Sequence, residues 1–486
     1  MSTQQIEIDV LIVGAGLSGI GAAAHLKKHC PEHSFTILEG RDRLGGTWDL
    51  FRYPGIRSDS SMYTFGYSFR PWTYEKSIAD GSTILSYIKE TANECGVEQM
   101  IQYRHRVAQA DWSSAERRWT INVEVGEEKA LKVFKCRFLW ICSGYYNYDE
   151  GYTPEFEGIE HYKGQVVHPQ KWTNDIDYSA KNVVIIGSGA TAVTLLPSMT
   201  DKARHVTMLQ RSPSWVASRP ARDPVAQTLK KWLPIHLVHG VTRWKNITLQ
   251  ILSYRMSKKK PQRAKDAILK LLHEQLPKEY VAEHFTPDYN PWDQRVCAVP
   301  DNDLFKVIRE GKASIVTDHI DRFTETGIKL KSGKELQADM VVTATGLNLQ
   351  AFGGTRISID NETINMGEQY NYKGMMISNI PNMAFMMGYT NSSWTLKSDL
   401  VSVYICKLLK HMRRHQYEQV VPRIEQGALK AQPLIDFKSG YVLRSVDKFP
   451  KQGDIAPWKL HQNYILDTLA LKHGRLEDKV LEFSKA

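Results

Sequence analysis

The sequence predicts an α/β fold in which two Rossmann-like βαβ units are accompanied by a helical insertion. Two short runs rich in β-branched residues, 8–16 and 182–189, each end in closely spaced glycines and lead into a helical pattern. Each is followed by a second apolar run, at 34–39 and 205–211. Buried parallel strands read as continuous apolar runs, and the order strand, helix, strand defines the βαβ unit. The chain therefore contains the same supersecondary motif twice.

The first glycine-rich turn, Gly14-Ala-Gly16-Leu-Ser-Gly19, has the GxGxxG spacing between a strand and a helix. Gly14 permits the tight turn, Gly16 lets the backbone approach a pyrophosphate, and Gly19 lets helix and strand pack closely. Glu39 ends the second strand, where a carboxylate accepts hydrogen bonds from ribose hydroxyls and repels a 2′-phosphate. This unit therefore predicts a site for a dinucleotide without a 2′-phosphate, such as FAD.

The second turn is the GxGxxA variant of the same motif and consists of Gly187, Ser188, Gly189, Ala190, Thr191 and Ala192. Arg211 follows the second strand of this unit, where the first unit has its acid. A guanidinium there pairs with a phosphate oxygen, and Ser212 adds a hydroxyl donor, so the pattern predicts NADPH. A solvated surface position for Arg211 is the alternative that the sequence leaves open.

Two dinucleotide sites of opposite preference indicate an electron relay, in which hydride leaves NADPH and reaches a flavin. The predicted fold class is therefore α/β with two Rossmann-like dinucleotide-binding domains, for FAD and NADP, and a helical insertion. Changes of pattern divide the chain into the FAD-binding domain (1–150), the NADP-binding domain (151–219), the helical insertion (220–292), the second part of the NADP-binding domain (293–345), and the second part of the FAD-binding domain with the C-terminal tail (346–486).

Composition is that of a soluble globular protein of two or three domains. The chain has 486 residues, of which 42% are hydrophobic and 24% charged, both ordinary values. The net charge of +10 is concentrated between Arg219 and Arg263 and does not follow a motif that reads a groove of DNA or RNA. Nucleic acid is therefore not expected as a partner. The 6 cysteines have neither metal-ligand spacing nor a CxxC pair, so neither a metal nor a redox-active disulfide is expected.

The cytoplasm is the expected compartment. The N-terminal residues lack a basic segment followed by an apolar run, and polar residues interrupt the longest charge-free stretch, between Lys373 and Lys397. The basic insertion also carries apolar stretches around Trp232 and at 247–252. A peripheral contact with a membrane surface is one interpretation of these stretches, but a solvated outer face of the insertion is the preferred one.

Three blocks of sequence resemble the Baeyer–Villiger monooxygenases, the class B flavoprotein monooxygenases, and within them the ethionamide-activating subgroup. Residues 45–48 and 53–59 read Gly-Gly-Thr-Trp and Tyr-Pro-Gly-Ile-Arg-Ser-Asp, similar to the family's GGxW…[FY]PG…D block. Residues 162–172 are similar to the fingerprint FxGxxxHxxxW. Residues 290–305 contain Asn-Pro-Trp-Asp-Gln-Arg and Asp-Leu-Phe, similar to the region of the family's active-site arginine. The resemblance covers nearly the whole chain.

The resemblance implies which residues contact the cofactors. Besides the glycines of the first turn, contacts with FAD are implied for Ser18, Glu39, Thr47, Trp48, Asp49, Leu50, Asp59 and the backbone of Val107. Contacts with NADP are implied for Arg57, Ser58, Asp59, the turn from Gly187 to Val193, Arg211 and Ser212.

The resemblance also implies the reaction, in which one oxygen atom from O2 is inserted into a ketone to give an ester. Arg295 is the implied catalytic cation, which stabilises negative charge on the reacting oxygens, and Asp59 orients it. Oxidation of thioether or thioamide sulfur is the implied second activity. A structural salt bridge between Arg295 and Asp59 is the alternative. Small ketones or sulfides and O2 are the expected partners, and the sequence specifies no oligomeric state.

The sequence departs from the family pattern at several positions. Tyr162 replaces the fingerprint phenylalanine, and Thr173 follows the fingerprint tryptophan where Pro or Asp is usual. Gln294 stands where many relatives have a lysine that holds the 2′-phosphate, so Arg211 is expected to carry more of that role. His168 is expected to form a hydrogen bond in a hinge between the domains and not to act as a base.

Three other functions share part of this pattern. An N- or S-hydroxylating flavin monooxygenase has both nucleotide sites but does not need Arg295. A pyridine nucleotide–disulfide reductase needs a cysteine pair that faces the flavin, and the cysteine spacing argues against it. A non-catalytic redox-sensing protein needs both nucleotide sites and no substrate.

Overall fold

The computed structural model describes residues 6–425, 427, 429–436 and 439–485. The expectation of no leader segment rests on residues 1–5, which lie outside the described residues. The helices are α1 (Leu17–His29), α2 (Thr47–Leu50), α3 (Met62–Phe65), α4 (Gly81–Glu94), α5 (Ala190–Met199), α6 (Pro224–Leu229), α7 (Ile235–Lys259), α8 (Pro261–His273), α9 (Lys278–His284), α10 (Asp303–Arg309), α11 (Trp394–His415), α12 (Gly440–Leu443) and α13 (Tyr464–Asp467).

The strands are β1 (Ile6–Val13), β2 (Phe35–Leu38), β3 (Ile101–Gln102), β4 (His105–Ser113), β5 (Arg118–Val125), β6 (Ala130–Ile141), β7 (Tyr146–Gly151), β8 (Gln165–Val167), β9 (Asn182–Ile186), β10 (His205–Gln210), β11 (Val216–Arg219), β12 (Cys297–Pro300), β13 (Ala313–Thr317), β14 (Ile320–Phe323), β15 (Gly327–Leu330), β16 (Glu335–Gln337), β17 (Met340–Thr343), β18 (Leu347–Leu349), β19 (Arg356–Ile359), β20 (Glu362–Thr363), β21 (Asn371–Tyr372), β22 (Met376–Ile377), β23 (Met383–Phe385), β24 (Gln419–Pro422), β25 (Gln432–Pro433), β26 (Lys451–Gln452) and β27 (Leu481–Ser484).

The larger sheet is built around β1. It has 9 strands in the order β20-β19-β4-β5-β6-β1-β2-β3, and β23 also pairs with β6. β1 runs parallel to both β2 and β6, whereas β4, β5 and β6 form an antiparallel meander. The continuous apolar run that predicted β1 is buried at Val10, Leu11, Ile12 and Val13, because both faces of this strand are covered.

The second sheet has 5 strands in the order β13-β10-β9-β17-β8, and every pairing in it is parallel. Helix α5 connects β9 to β10 and buries Leu195, Leu196 and Met199 in the core of this sheet. Both sheets therefore contain the strand, helix and parallel strand that the two glycine-rich motifs predicted. The prediction of an α/β fold with two Rossmann-like units is confirmed.

The helical insertion is anchored through α7. Arg243, on its buried face, donates from Nη1 to the carbonyl oxygens of Tyr63 and Gly66 at 3.1 and 2.8 Å. Its Nη2 lies 3.3 Å from Oδ2 of the buried Asp399, on α11. Because a buried charge must be paired, these contacts fix α7 on the larger domain. Within the described part of the chain, no helix is long and apolar enough to cross a membrane.

Two strands carry the chain between the sheets. β7 leaves the larger sheet and β18 returns towards it, and the two pair antiparallel side by side. We propose 1–150, 151–219, 220–292, 293–345 and 346–486 as the domain boundaries. Gly14 packs on Cys142, just after β6, and Gly187 packs on Ala344, just after β17. Both glycine-rich turns therefore lie beside strand ends that lead into these linkers, and open α/β folds bind ligands at the carboxyl ends of their strands.

Candidate functional site

The first glycine-rich turn packs tightly on its own sheet and on a second loop. Gly14 has a φ of +98°, and a Cβ there would lie 2.9 Å from the carbonyl oxygen of Cys142. Gly46, at the start of α2, also has positive φ, and a Cβ there would lie 3.0 Å from the Cα of Gly16. The absence of a Cβ at Gly46 lets these two backbones approach each other, so the turn and the α2 loop form one narrow cradle at the N-terminus of α1.

Glu39 is fixed beside this cradle by backbone N–H groups. Its Oε2 accepts from the N–H of Ala15 at 2.7 Å, and its Oε1 accepts from the N–H of Arg41 at 2.9 Å. Burial raises the pKa of Glu39, and the two backbone hydrogen bonds act in the opposite direction. Each carboxylate oxygen keeps a second lone pair, so Glu39 can accept hydrogen bonds from a vicinal diol such as a ribose.

Arg41 is a component of this site that sequence reasoning missed. It donates from Nη2 to Asp49 Oδ2 at 2.8 Å, and its Nη1 lies 3.4 Å from the carbonyl oxygen of Gly46. The Asp49 carboxylate also lies 3.4 Å from Arg43 and 3.5 Å from Arg52. Asp49 therefore uses its side chain to hold arginines at the cradle. A basic residue two positions after the acid of the second strand was the available signal.

Ser18 and Thr47 are both engaged by aromatic side chains. Ser18 Oγ accepts from the indole Nε1 of Trp394 at 2.7 Å, and Thr47 Oγ1 lies 3.3 Å from the hydroxyl of Tyr148. The Trp394 ring stacks on Tyr145 with centroids 5.3 Å apart. The N-terminus of α11, the α2 loop and the segment after β6 therefore meet around the first turn. Their aromatic rings form a wall suited to a planar ligand.

The remaining residues of the implied FAD set lie at the edges of the cradle. Trp48 packs edge-on against Phe65 at 5.6 Å, and Leu50 is half-buried at the end of α2. Val107 lies in β4, which begins where the N–H of His105 donates to the carbonyl oxygen of Glu39 at 2.8 Å. The backbone of Val107 is therefore near the Glu39 end of the site.

Arg295 and Asp59 form a two-point ion pair at the junction of the sheets. Arg295 Nη2 donates to Asp59 Oδ1 at 3.0 Å, and Nε lies 3.0 Å from Oδ2. The carboxylate raises the pKa of Arg295, so the guanidinium stays charged. The Arg295 side chain is 43% exposed, because it lies in an open cleft and not in the core. This arrangement is a cation held in one orientation with a free edge.

Three tyrosines surround this ion pair, and the sequence did not identify them. Tyr145, Tyr146 and Tyr441 are close enough to interact electrostatically with Arg295, and the hydroxyls of Tyr145 and Tyr146 are 3.2 Å apart. Burial raises the pKa of Tyr146 and of Tyr441 to about 12. The phenols are therefore neutral at physiological pH, and among these residues Asp59 alone carries a charge opposite to that of Arg295.

Arg57 pairs with Asp303 across the two units, a contact that the sequence did not predict. Arg57 Nη1 lies 2.5 Å from Asp303 Oδ2, at the start of α10. The other terminal nitrogen, Nη2, is buried and has no hydrogen-bond partner among the described residues. A buried guanidinium N–H without an acceptor leaves room for an anionic ligand. Ser58 contributes no comparable donor, because its hydroxyl is used within its own turn by Ser60.

The second glycine-rich turn leaves open space above the N-terminus of α5. Gly187 has a φ of +135° and packs on the carbonyl of Ala344, whereas no atom lies within 4 Å of a Cβ built on Gly189. Ser188 Oγ accepts from Ser214 at 2.9 Å. Gly189 and Ala190 are exposed and Thr191 half-buried, so this face of the turn is accessible. Ala192 and Val193 are buried, so any ligand contact from them runs through the backbone.

Arg211 and Ser212 follow β10 and are both exposed beside this turn. They occupy the position relative to the second turn that Glu39 occupies relative to the first. The structure therefore brings together a basic residue, a hydroxyl and a helix N-terminus, which are groups that bind phosphate.

His168 joins the two linkers between the sheets. Its Nδ1 accepts from the N–H of Gln170 at 3.2 Å, and its Nε2 lies 3.1 Å from the carbonyl oxygen of Gly346. A neutral imidazole protonated at Nε2 satisfies both contacts, and burial lowers the pKa of His168 in agreement with that state. The ring also lies against Gly151, where a Cβ would collide with it. His168 therefore fixes β7 and β18 at the hinge.

A family model described as flavin-binding monooxygenase-like matches residues 8–414 of this chain. The chain is 52% identical over 480 residues to the FAD-containing monooxygenase EthA of Mycobacterium tuberculosis, with 98% of each chain covered. It is 51% identical over 480 residues to the FAD-containing monooxygenase EthA of Mycolicibacterium smegmatis, with 98% of this chain and 97% of that protein covered.

Solved structures with the same fold include an oxidized steroid monooxygenase bound to NADP. That chain superimposes on this one with a TM-score of 0.78 at 19% identity, and the superposition covers 99% of this chain and 100% of that chain. A cyclohexanone monooxygenase bound to ε-caprolactone superimposes with a TM-score of 0.76 at 17% identity, with 99% of this chain and 100% of that chain covered. These matches extend the shared architecture over the whole length of the chain.

Proposed function

The chain belongs to the flavin-binding monooxygenase-like family, and from this we propose that it is an FAD-dependent, NADPH-consuming monooxygenase that converts ketones to esters. In the proposed reaction a ketone, O2, NADPH and a proton give an ester, water and NADP+. One oxygen atom of O2 enters the ester and the other leaves as water. The observation that carries the proposal is the Arg295–Asp59 ion pair, a fixed cation at the junction of two dinucleotide-type units.

The cradle around Gly16 and Gly46 and the carboxylate of Glu39 support FAD at the first turn. FAD has a pyrophosphate for a helix N-terminus and a ribose diol for Glu39, and both groups fit the donors and acceptors found there. The open second turn, with Arg211, Ser212 and the Nη2 of Arg57, which is unpaired within the part of the chain that the structure describes, supports NADPH at the second turn. The bound cofactors supply the electron transfer and oxygen activation that amino-acid side chains lack.

Arg295 acts as the electrostatic catalyst in this proposal. The Asp59 carboxylate occupies the Nε and Nη2 edge of its guanidinium, which leaves Nη1 available to an oxygen in the cleft. When an oxygen nucleophile adds to a ketone, negative charge grows on the carbonyl oxygen. A preorganised guanidinium N–H stabilises that charge without moving. In other enzymes, removal of one such donor raises the activation barrier by about 3–4 kcal/mol.

Asp59 is the positioning residue for this cation. A planar guanidinium bound at two points by a carboxylate cannot rotate, so its free edge keeps one direction. Tyr145 and Tyr146 remain neutral phenols because burial raises the pKa of both, and so they compete little with Asp59 for Arg295. One of the two hydroxyls donates to the other, so the second keeps its O–H for a ketone oxygen or a water in the cleft.

The cysteines argue against a disulfide reductase. All 6 are free thiols, and Cys142 is buried beneath the first turn, where burial raises its pKa. A buried thiol of raised pKa is a poor nucleophile. An N- or S-hydroxylating monooxygenase would not need Arg295, because attack by a nitrogen or sulfur lone pair creates no anionic carbonyl adduct.

A ketone panel tests the proposal directly. The purified chain loaded with FAD is incubated with NADPH, isotopically heavy O2 and linear, cyclic or aromatic ketones, and the products are analysed by mass spectrometry. We expect an ester that contains one heavy oxygen atom and one NADPH consumed per ester formed. NADPH oxidation that yields only hydrogen peroxide with every ketone, while a thioether in the same assay is oxidised, would establish the hydroxylating alternative instead.

A further inference from the structure

The outward side of the helical insertion exposes large apolar side chains. Trp232 is 81% exposed just before α7, and Leu252 in α7 is 57% exposed. We define the apolar face of the insertion by its exposed members Trp232, Leu237, Trp244, Leu249, Leu252 and Met256. Several large exposed apolar side chains on one segment of the chain are typical of an interaction site on a protein.

This face is not a core surface waiting for another part of the same chain. The opposite side of α7 is already packed, with Val238 and Ile247 buried and Arg243 bonded to the larger domain. The C-terminal tail contributes to the outward side instead. Trp244 packs edge-on against Tyr464 of α13 with centroids 5.8 Å apart. Ile465, Leu466 and Leu469 beside that contact are also exposed, so they extend the apolar face.

The stretch of chain that carries most of the apolar face has basic residues and no acidic ones. The sequence has no aspartate or glutamate between Pro224 and Lys265, a stretch that contains α6 and α7. Its exposed basic side chains include Lys231, Arg255, Lys259, Lys260 and Arg263. A surface that is apolar at its centre and basic around it is complementary to a partner with an apolar interior and an anionic outer layer.

We propose that the apolar face of the insertion seats this protein on the surface of an anionic phospholipid bilayer. Trp232 and Trp244 have the amphipathic rings that prefer the headgroup region, and the leucines provide apolar area for the acyl boundary. The sequence alone favoured a solvated outer face. The exposure of these side chains on a helix whose other side is fully anchored is the reason to choose the membrane surface. The proposal is independent of the reaction, because binding needs no substrate.

Vesicle sedimentation tests this proposal with the full chain loaded with FAD. The protein is mixed with vesicles of phosphatidylglycerol and phosphatidylcholine, or of phosphatidylcholine alone, at low and high salt. We expect binding to the anionic vesicles that weakens in high salt, because exposed charges are screened over about 10 Å at 0.1 M salt. Failure to sediment with anionic vesicles at low salt overturns the proposal.

The double variant Trp232→Ser/Leu252→Ser identifies the surface. We expect its partition coefficient on anionic vesicles to fall on the order of tenfold or more, because two apolar side chains no longer leave water. The matched control is Leu131→Ser/Ile455→Ser, which removes two equally exposed apolar side chains outside the insertion. Circular dichroism establishes that both variants are folded. Equal binding by the two double variants overturns the proposal.

The variant Lys231→Gln/Arg255→Gln/Lys259→Gln tests the charge independently and leaves the apolar face intact. We expect it to lose the preference for anionic over zwitterionic vesicles, and an unchanged preference contradicts the proposal. A second copy of this chain is the competing occupant of the face. Sedimentation velocity without vesicles detects it as an oligomer that Trp232→Ser/Leu252→Ser dissociates, and that result also overturns the membrane assignment.

Discussion

Arg295 Nε lies 3.0 Å from Asp59 Oδ2, and Arg295 Nη2 donates to Asp59 Oδ1 at the same distance, so the carboxylate contacts one edge of the guanidinium at two points. Asp59 comes from the loop after α2, and Arg295 comes from the segment between the insertion and β12. This ion pair therefore connects the unit of the first glycine-rich turn with the chain that follows the insertion, as the Arg57–Asp303 pair also does.

Replacing Arg295 with lysine tests whether the reaction needs the two-point contact of the guanidinium with Asp59 or only the positive charge. Lysine keeps a positive charge but cannot be held at two points by a carboxylate. We expect Arg295→Lys to lower kcat for ester formation by about 100-fold or more. Thioether oxidation should fall much less, because it forms no anionic carbonyl adduct. Steady-state product formation from a ketone and from a thioether measures both effects. The exposed Arg263→Lys is the matched control, and full ester formation by Arg295→Lys contradicts the role.

Substitutions of Arg57 and of Asp303 are expected to affect NADPH binding differently. Arg57→Gln removes a charged donor whose Nη2 is unpaired within the described residues, so we expect the NADPH dissociation constant to rise about tenfold or more. Asp303→Asn instead removes the carboxylate that competes for Arg57, and so it should not weaken NADPH binding. Fluorescence titration of the FAD-loaded protein measures both constants. Equal weakening by the two substitutions would show that the Arg57–Asp303 pair is only structural.

Arg211 is expected to discriminate between the two nicotinamide cofactors. A guanidinium pairs with a 2′-phosphate but has no such partner in NADH. We expect Arg211→Ala to weaken NADPH by about tenfold or more and NADH by less than about twofold. The dissociation constants of both cofactors are measured side by side. Exposed Arg263→Ala serves as the charge-matched control, and equal losses for the two cofactors contradict the assignment.

Local patterns predicted most of the fold. Gly14 and Gly187 mark strand-to-helix turns, and each requires a positive φ that the structure shows. The alternation of short apolar runs with helical segments is a property of neighbouring residues, so it can be read along the sequence. The predicted resemblance to flavoprotein monooxygenases is confirmed by the match over residues 8–414.

Contacts between distant segments could not be predicted in this way. Ser18 and Trp394 share a hydrogen bond although they are 376 positions apart, and Arg57 is 246 positions from Asp303. No spacing rule connects such pairs, because their proximity depends on how whole elements pack. The tyrosines around Arg295 were missed for the same reason. The motif that carries a cation can be recognised locally, but the groups that surround it come from packing.

We expect His239 to make the attachment of the insertion sensitive to pH. Its Nδ1 accepts from the N–H of Trp72 at 3.1 Å, and it is buried on the anchored side of α7. Burial first, and then the nearby Arg243, lower the pKa of His239 to about 4 from 6.5, while Asp399 acts in the opposite direction. The unfolded chain therefore binds more protons than the folded chain between pH 6.5 and about 4. Stability from this group is present above pH 6.5 and is lost as the pH falls through that window.

We expect the free energy of unfolding to lose up to about 3 kcal/mol from this group on acidification, as a pKa difference of this size requires. His239→Gln keeps an acceptor for the Trp72 N–H but cannot be protonated, so its stability should fall less steeply over the same window. Other groups titrate in both proteins, and the difference between the two curves isolates His239. Urea unfolding at closely spaced pH values measures that difference.

His236→Gln, an exposed substitution on the same helix, is the control and should retain the steep wild-type dependence. Parallel curves for the wild type and His239→Gln would show that His239 is not the group that couples stability to pH.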